Sequence, residues 1–303
     1  MPTLRALECL IAVLDAGSIT DAAAALHMSQ PALSHQLAAL EREIGAPVVE
    51  RLPRGVRATA VGRAVEADAR AALSAADRVI GGGRAAARGD SGQLRLACAE
   101  SLTASLLAPV LRTWLRRHPG LEVRLTEAVS ADDLVRHIES GCADLAFGPR
   151  PSRWSGAAER IGLEEVVAVL SNGHPLADRD HLTFADLRDH PLVHYHPDNG
   201  LSAWLDTEAA RHGTTLTPVM RTRQAATAAQ LAAAGLGIAL VPTTALTSGL
   251  SATLKRLRPT LSRDLVCLIG TPADPLVRRF TADIIKRGVP QSPSAKTQLD
   301  ARR

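Results

Sequence analysis

The chain has 303 residues, of which 46% are hydrophobic and 22% are charged, so it is long enough for two or three compact units with their own cores. This composition excludes global disorder, and the apolar runs are alanine-rich, interrupted and too short to span a membrane. The net charge of +4 indicates no partner by itself, and an aromatic content of 2% argues against single-stranded nucleic acid, which is bound by stacking.

The first predicted helix covers residues 4–16, where apolar side chains such as Leu7, Leu10 and Leu14 recur on one face. Gly17 is the expected end of this helix. No charged-then-apolar leader precedes a cleavage site, so we expect a cytoplasmic protein.

Two further helices joined by a tight turn are predicted for residues 18–45. Ser18 and Asp21 have the spacing of a helix start, and Ser29 with Pro31 starts the second helix. The second helix buries a stripe at helical spacing and exposes short or amide-bearing groups near its N-terminus, which suits insertion into a DNA major groove. The buried stripe consists of Leu33, Leu37, Leu40 and Ile44, and the exposed face carries Gln30, Pro31, Ser34, His35 and Ala38.

A short hairpin is predicted around Pro53-Arg54-Gly55, between two extended pieces. Residues 1–58 contain five arginines and six acidic residues, a net charge of −1. The local cluster of Arg51, Arg54 and Arg57 matters more for phosphate contact than this sum.

The run SITDAAAALHMSQPALSHQLAALEREIGAP, followed by ERLPRGVRATAVG, closely resembles the winged helix-turn-helix of LysR-type transcriptional regulators. The resemblance covers about the first fifth of the chain. The family usually has Arg where His35 stands and Leu-Phe where Val48-Val49 stand. The first difference affects base preference, and the second changes only packing volume.

This resemblance implies a double-stranded DNA partner. We predict base-edge contacts from Gln30, Pro31, Ser34 and His35, and phosphate contacts from Thr20, Ser29, Gln36, Arg51 and Arg54. The alternative is that these are merely solvated polar residues of a helix. The two caps, the apolar stripe and the arginine cluster together favour the DNA interpretation.

A long helix is predicted from Thr59 to about Arg88, with Gly81-Gly-Gly83 and the Gly-rich residues 88–92 breaking it and marking a hinge. Its apolar side has roughly the repeat of a coiled-coil seam. The helix could pack on its own domain, but the resemblance favours a linker that pairs two subunits. The seam consists of Val61, Val65, Ala69, Ala72, Ala76, Val79 and Ile80.

From Gln93 onward, strands and helices alternate, which predicts a parallel sheet with right-handed crossovers. The HPLA run at residues 174–177 and the GLGIALVP run at 235–242 again resemble the LysR-type sensor domain. The implied fold is α+β multidomain: a winged helix-turn-helix, a linker helix and a two-lobed α/β effector-binding domain of the periplasmic-binding-protein type. The predicted domains are residues 1–58 for DNA binding, 59–91 for linker and hinge, 92–290 for effector binding (lobe one 92–162 and 264–288, lobe two 163–263), and 291–303 as a disordered tail.

An effector site is predicted where strands end and helices begin, between the lobes. Hydroxyls such as those of Ser101 and Thr103 at a helix N-terminus suit a carboxylate. The resemblance implies that these positions line the effector pocket, and the ligand that it implies is a small organic anion. Ser101 could equally be only an N-cap. The predicted effector-binding residues are Ser101, Thr103, Ser130, Gly148, Pro149, Tyr195, His196, Asn199, Thr222 and Gln224.

Two other functions were weighed. Redox sensing through Cys98, Cys142 or Cys267 is an alternative within the family, although buried, inert cysteine is commoner. An enzyme or a transport-type binding protein would explain only the C-terminal half, and no catalytic or phosphate-binding motif is present in the sequence. The four cysteines include no CxxC pair, so we expect no metal and no cofactor. The expected partners are DNA, a small-molecule effector, further copies of the chain as a dimer of dimers, and RNA polymerase, with no membrane.

Overall fold

The computed structural model describes residues 2–53, 55–88, 92–247, 249–290 and 297–299, except for the side chains of residues 82–88. The chain divides into two compact units. The first comprises Met1–Gln93 with Arg136–Ala143, and the second comprises Leu94–Val135 with Asp144–Arg303.

The first unit begins with three short helices whose ends are set by the predicted caps. Gly17 adopts φ 61° and ends the first helix, and the side chains of Ser18 and Ser29 accept hydrogen bonds from Asp21 N and Ala32 N. The elements are α1 (Leu4–Ala16), α2 (Ile19–Ala25), α3 (Gln30–Ile44), β1 (Val49–Arg51) and β2 (Val56–Ala58). The predicted three-helix order and the hairpin are confirmed.

The hairpin of β1 and β2 is antiparallel and is held against the end of α1. Val56 N donates to Gly17 O at 2.8 Å. Gly55 has φ 92°, and a Cβ there would lie 2.6 Å from Gly17 O, so only glycine fits at this approach. This contact fixes the hairpin relative to the helices.

The long helix α4 (Ala60–Arg88) has nearly the predicted bounds but differs from the prediction at its glycines. It runs through Gly81 to 83 without a break, because helical continuity on both sides outweighs the cost of glycine, roughly 1 kcal/mol per residue. The first part of its apolar stripe packs on the core of its own unit, where Ala69 is buried. Val79 and Ile80, further along, are exposed.

The second unit contains two separate hydrophobic cores. The first core lies around a parallel pair of strands, with Leu96 of one opposite Leu145 of the other. Its elements are β3 (Gln93–Ala99), α5 (Glu100–Leu102), a π-helical turn (Thr103–Leu107), α6 (Ala108–Arg117), β4 (Glu122–Ala128), α7 (Ala131–Glu139) and β5 (Leu145–Pro149).

The second core is built by residues between Val166 and Leu261, together with Leu299. Its elements are the later part of β6 (Ala157–Leu170), β7 (His181–Leu182), β8 (Leu192–Tyr195), α8 (Gly200–Arg211), β9 (Pro218–Thr222), α9 (Ala225–Ala233), β10 (Ala239–Pro242) and β11 (Thr253–Leu257). The chain then returns to the first core through β12 (Ser262–Ile269) and α10 (Pro275–Arg287). We call the two parts lobe one and lobe two.

The sheet is mixed: β3 and β5 pair in parallel, as predicted, whereas β12 is antiparallel to both β5 and β6. Strands follow the order β4-β3-β5-β12-β6-β11-β7, and β10 also pairs with β6. The antiparallel strands β6 and β12 cross between the lobes side by side, with Arg263 opposite Glu164. The predicted boundaries between the lobes, after residues 162 and 263, fall on these two strands. The sequence pattern missed that both crossings belong to one antiparallel ladder.

Most of the predicted disordered tail, 291–303, lies outside the described residues. The described part, 297–299, is helical. Leu299 is buried in the core of lobe two, and its backbone oxygen accepts a hydrogen bond from Arg256 Nη1 at 2.7 Å. Within the described part of the chain, every helix is too short or too polar to cross a membrane.

Candidate DNA interface and effector cleft

The exposed surface of α3 brings together most of the residues predicted for DNA contact. Gln30, Pro31 and His35 are exposed, and the Gln30 amide donates a hydrogen bond to Thr20 Oγ1 of α2. Leu33, Leu37 and Leu40 are buried on the other side. This arrangement orients the exposed side chains outward from a rigid three-helix core.

The hairpin extends this surface with a cationic side chain. Arg51 Nη2 donates to Ser34 Oγ at 3.4 Å, so the end of β1 reaches the middle of α3. Arg57 instead pairs with Glu50 at 2.9 Å across the hairpin. Arg54 lies outside the described residues. We call Thr20, Ser29, Gln30, Pro31, Ser34, His35, Gln36 and Arg51 the recognition face.

A cleft of about 270 Å³ lies between the two lobes of the second unit. Lobe one contributes the carboxyl ends of β3, β4 and β5, and lobe two contributes the first turns of α8 and α9. Four of the predicted effector-binding residues line it, namely Ser101, Ser130, Pro149 and Asn199. The rule that ligands bind at the ends of parallel strands therefore located the cleft.

Three predicted residues serve the interior instead, and these predictions are corrected. Tyr195 is fully buried and its hydroxyl donates to Leu240 O at 2.9 Å, because β8 is buried on both sides. Gly148 is buried, and a Cβ there would lie 2.3 Å from Leu134 Cδ1. Thr103 does not line the cleft, and its hydroxyl oxygen is buried without a hydrogen-bond partner among the described residues.

The other three predicted residues do not line the cleft either. His196 Nδ1 lies 3.1 Å from Asp198 Oδ2 in the turn before α8. Thr222 ends β9, and its backbone oxygen accepts from His196 N at 2.8 Å. Gln224 precedes α9 and is exposed. All three follow strand ends, but these strands form the separate two-stranded sheet of β8 and β9.

Two hydrogen bonds across the cleft join lobe one to lobe two. Gly200 N, in the first turn of α8, donates to Val129 O at 2.9 Å. Ala225 N, in the first turn of α9, donates to Glu100 Oε1 at 2.9 Å. Lobe one therefore supplies an acceptor to the N-terminus of each helix, where unpaired N–H groups attract negative charge.

Charged side chains that sequence reasoning missed also line the cleft. Glu100, Arg150, Arg263 and Asp264 line it, and none of them is among the predicted effector-binding residues. Burial raises the pKa of Glu100, opposed by the hydrogen bond from Ala225 N. Glu100 directly follows a predicted strand, so the rule that places ligands at strand ends could have identified it from the sequence.

The remaining charges of the cleft are paired. Arg263 Nε lies 2.6 Å from Glu164 Oε2, and Glu164 is fully buried and also accepts from the Thr244 hydroxyl. Asp264 accepts from Arg160 at 2.7 Å and from Arg150 at 3.4 Å, and these guanidinium groups hold the pKa of Asp264 below its usual range.

The structure separates the three cysteines considered for redox sensing. Burial raises the pKa of Cys98 far above its usual range and that of Cys267 to about 12, so both stay protonated. Cys142 is half-buried, and a hydrogen bond with His137 lowers its pKa to about 6. Its sulfur lies 3.4 Å from Ser74 Oγ of α4. Only Cys142 thus has thiolate character near neutral pH.

Comparisons with known proteins agree over the whole chain. The family model described as "Bacterial regulatory helix-turn-helix protein, lysR family" matches residues 4–63, and that described as "LysR substrate binding domain" matches residues 87–287. The transcriptional activator protein LysR of Escherichia coli (strain K12) is 29% identical over 304 residues, which cover 98% of this chain and 96% of that protein.

Two further matches support the same assignment. The HTH-type transcriptional regulator BudR of Raoultella terrigena is 33% identical over 244 residues, which cover 79% of this chain and 84% of that protein. The crystal structure of full-length CbnR with its target DNA matches with a TM-score of 0.68 and 27% identity, covering 94% of this chain and 99% of that chain.

Proposed function

The chain belongs to the LysR family of transcriptional regulators, and we propose that a small organic acid, bound between its two lobes, controls how it binds DNA. It is a DNA-binding regulator with an effector-binding domain, not an enzyme. The observation that carries the effector proposal is the cleft of about 270 Å³, lined by Ser101, Ser130 and Asn199 at strand ends and helix starts. Its size lies near the lower end of known ligand sites, roughly 300–1,000 Å³.

We propose that the recognition face is the DNA contact surface. The amide of Gln30 can form a bidentate pair with adenine, and such pairs contribute about 1–3 kcal/mol of discrimination. Arg51 lies beside this helix and is suited to a phosphate. CbnR was crystallised with its target DNA, which supports the same use of the matching fold here.

The regulatory step that we propose is a shift between two arrangements of the subunits. The exposed Val79 and Ile80 of α4 offer an apolar surface on which a second copy can pack, and two such dimers would form a tetramer on an interrupted palindrome. An effector that binds one arrangement more tightly shifts the equilibrium toward it. RNA polymerase is the expected further partner, in the cytoplasm.

Two experiments test this proposal. Footprinting on promoters at or near the chain's own locus, at low ionic strength, should show protection, and absence of any footprint contradicts the DNA role. A thermal-shift screen of small organic acids should raise the melting temperature of the full chain, since a ligand that binds the folded state stabilises it. Ser130→Val should abolish that shift, whereas Ser105→Ala, outside the cleft lining, should not.

A second candidate, redox sensing, is favoured by one observation on Cys142. Its pKa of about 6 makes it a thiolate at neutral pH, and its contact with Ser74 of α4 would be lost on oxidation. The test is to measure operator affinity before and after peroxide for the full chain and for Cys142→Ser. An equal response of both proteins would eliminate this role.

A further inference from the structure

The cleft between the lobes has charge of both signs that its ion pairs do not fully neutralise. Asp264 faces two guanidinium groups, those of Arg150 and Arg160, so this side carries one positive charge in excess. Arg263 and Glu164 neutralise each other. On the other side, Glu100 forms no ion pair among the described residues. The cleft is therefore bipolar rather than simply positive.

The charged groups of Glu100 and Arg150 are accessible to a ligand. Glu100 and Arg150 both line the cleft, and the Arg150 side chain is 49% exposed. One oxygen of Glu100 accepts from Ala225 N, and the other has no hydrogen bond within the described part of the chain. That oxygen can accept from a ligand while the bond to α9 remains in place.

Both charges lie in one small cleft. Glu100 follows β3 and Arg150 follows β5, and these two strands are parallel neighbours in the sheet. Neighbouring strand backbones lie about 4.8 Å apart, and both residues line the same cleft of about 270 Å³, so one small ligand can contact both. Glu100 and Arg150 do not bond each other, since each is held by a different partner.

We infer that the effector is a zwitterion, with a cationic nitrogen bound by Glu100 and an acidic group bound by Arg150 and the neighbouring serines. This inference rests on the proposed effector function of the cleft and specifies its ligand. An acid without a cationic group would place its negative charge beside Glu100 without compensation. A protonated amine instead donates to the second Glu100 oxygen in a charge-assisted hydrogen bond.

The test uses three matched sets of probes with the full-length chain. The sets are the twenty common amino acids with ω-amino acids of two to six carbons, their N-acetyl derivatives together with the matching nitrogen-free carboxylic acids, and the amines that lack the carboxylate. Thermal shift identifies binders, and calorimetry measures their dissociation constants. Only compounds with both charges should bind, and either N-acetylation or loss of the carboxylate should weaken binding at least tenfold.

Four variants assign the effect to the two charges. Glu100→Gln and Arg150→Gln should each raise the dissociation constant at least tenfold. Glu139→Gln and Arg153→Gln make the same charge changes at exposed positions outside the cleft lining and should leave it unchanged. Melting temperatures without ligand confirm that all four variants are folded.

The outcomes separate this inference from the proposed function. If nitrogen-free or N-acetylated acids bind and Glu100→Gln leaves their affinity unchanged or improves it, the zwitterion inference is wrong and the effector site stands. If a compound binds but neither cleft variant changes its affinity, the assignment of the cleft as effector site fails, and the inference fails with it. If no compound of any set binds, both are overturned.

Discussion

The guanidinium of Arg51 and the hydroxyl of Ser34 are joined by a hydrogen bond of 3.4 Å, which links the hairpin to the exposed side of α3. The cation and the helix therefore form one surface within the first unit. A DNA duplex with α3 in its major groove would meet both at once, with the arginine at the backbone.

Arg51→Ala should weaken binding to all DNA sequences alike, because a phosphate contact carries no sequence information. The slope of log K against log salt should become less steep by about 0.9, the value for one phosphate. Gel-shift titrations between low and physiological salt measure this. Arg117→Ala, in the second unit, is the control with the same charge change. An unchanged slope in Arg51→Ala would remove this residue from the contact set.

Gln30→Ala should act differently and relax preference at one base pair. Its amide is oriented by the hydrogen bond to Thr20, so the loss should approach about 1–3 kcal/mol for the preferred base. Competition with single-base variants of the footprinted operator measures the change. Thr20→Val removes the orienting acceptor together with a predicted phosphate contact, so it should change base preference less than Gln30→Ala while weakening binding to all sequences. Uniform loss across all base variants would indicate a phosphate contact instead.

The helices of the first unit were predictable because their signals are local. Ser18, Ser29 and Gly17 each act within a few residues of the helix end that they cap. The mixed sheet was not predictable in the same way. The pairing of Glu164 with Arg263 joins residues 99 positions apart, and nothing in either short apolar run specifies the partner.

The position of the cleft was predictable from the sequence, but the charges of the residues that line it were not. Ser101 and Ser130 were found because strand ends converge at one edge of a parallel sheet. The prediction for Tyr195 does not match the structure, because the sequence of a strand that is buried on both faces gives no sign of which side chain reaches a cleft. Glu100 was not predicted, because the sequence argument concerned hydroxyls that could bind an anion. Which charged side chains line the cleft depends on how residues distant in sequence come together in the fold.

Cys142 should react with iodoacetamide in the native chain, while Cys98 and Cys267 should not. A pKa of about 6 means that the Cys142 thiol is mostly ionised above that pH and mostly protonated below it. The labelling rate, followed by mass spectrometry between pH 5 and 8, should therefore rise through about 6 and then level off. In Cys142→Ser, the labelling with this pH dependence should be absent. His137→Gln should shift the inflection upward, and an unshifted inflection would contradict the role of His137.

Removing one partner of the buried Glu164–Arg263 ion pair should destabilise the fold strongly, whereas replacing both partners by apolar residues should destabilise it much less. Glu164 is fully buried, so Glu164→Ala leaves the Arg263 cation unpaired and should lower the free energy of unfolding by about 3–5 kcal/mol. The double variant Glu164→Leu with Arg263→Met should lose much less, since both charges are removed together. Urea unfolding measures both. Equal losses in the two proteins would show that packing, not the uncompensated charge, dominates.

Glu100→Gln should stabilise the folded chain at neutral pH and have little effect in acid. Burial raises the pKa of Glu100 in the folded state, so the folded chain holds a proton that the unfolded chain releases. The resulting stabilisation is complete below the unfolded pKa and is lost as the pH rises through the folded pKa. Glutamine cannot ionise but can still accept from Ala225 N, so the difference in unfolding midpoint should grow as the pH rises through the folded pKa of Glu100 and then level off. The exposed control Glu139→Gln should show no such growth. A difference that is constant with pH would mean that Glu100 ionises equally in both states.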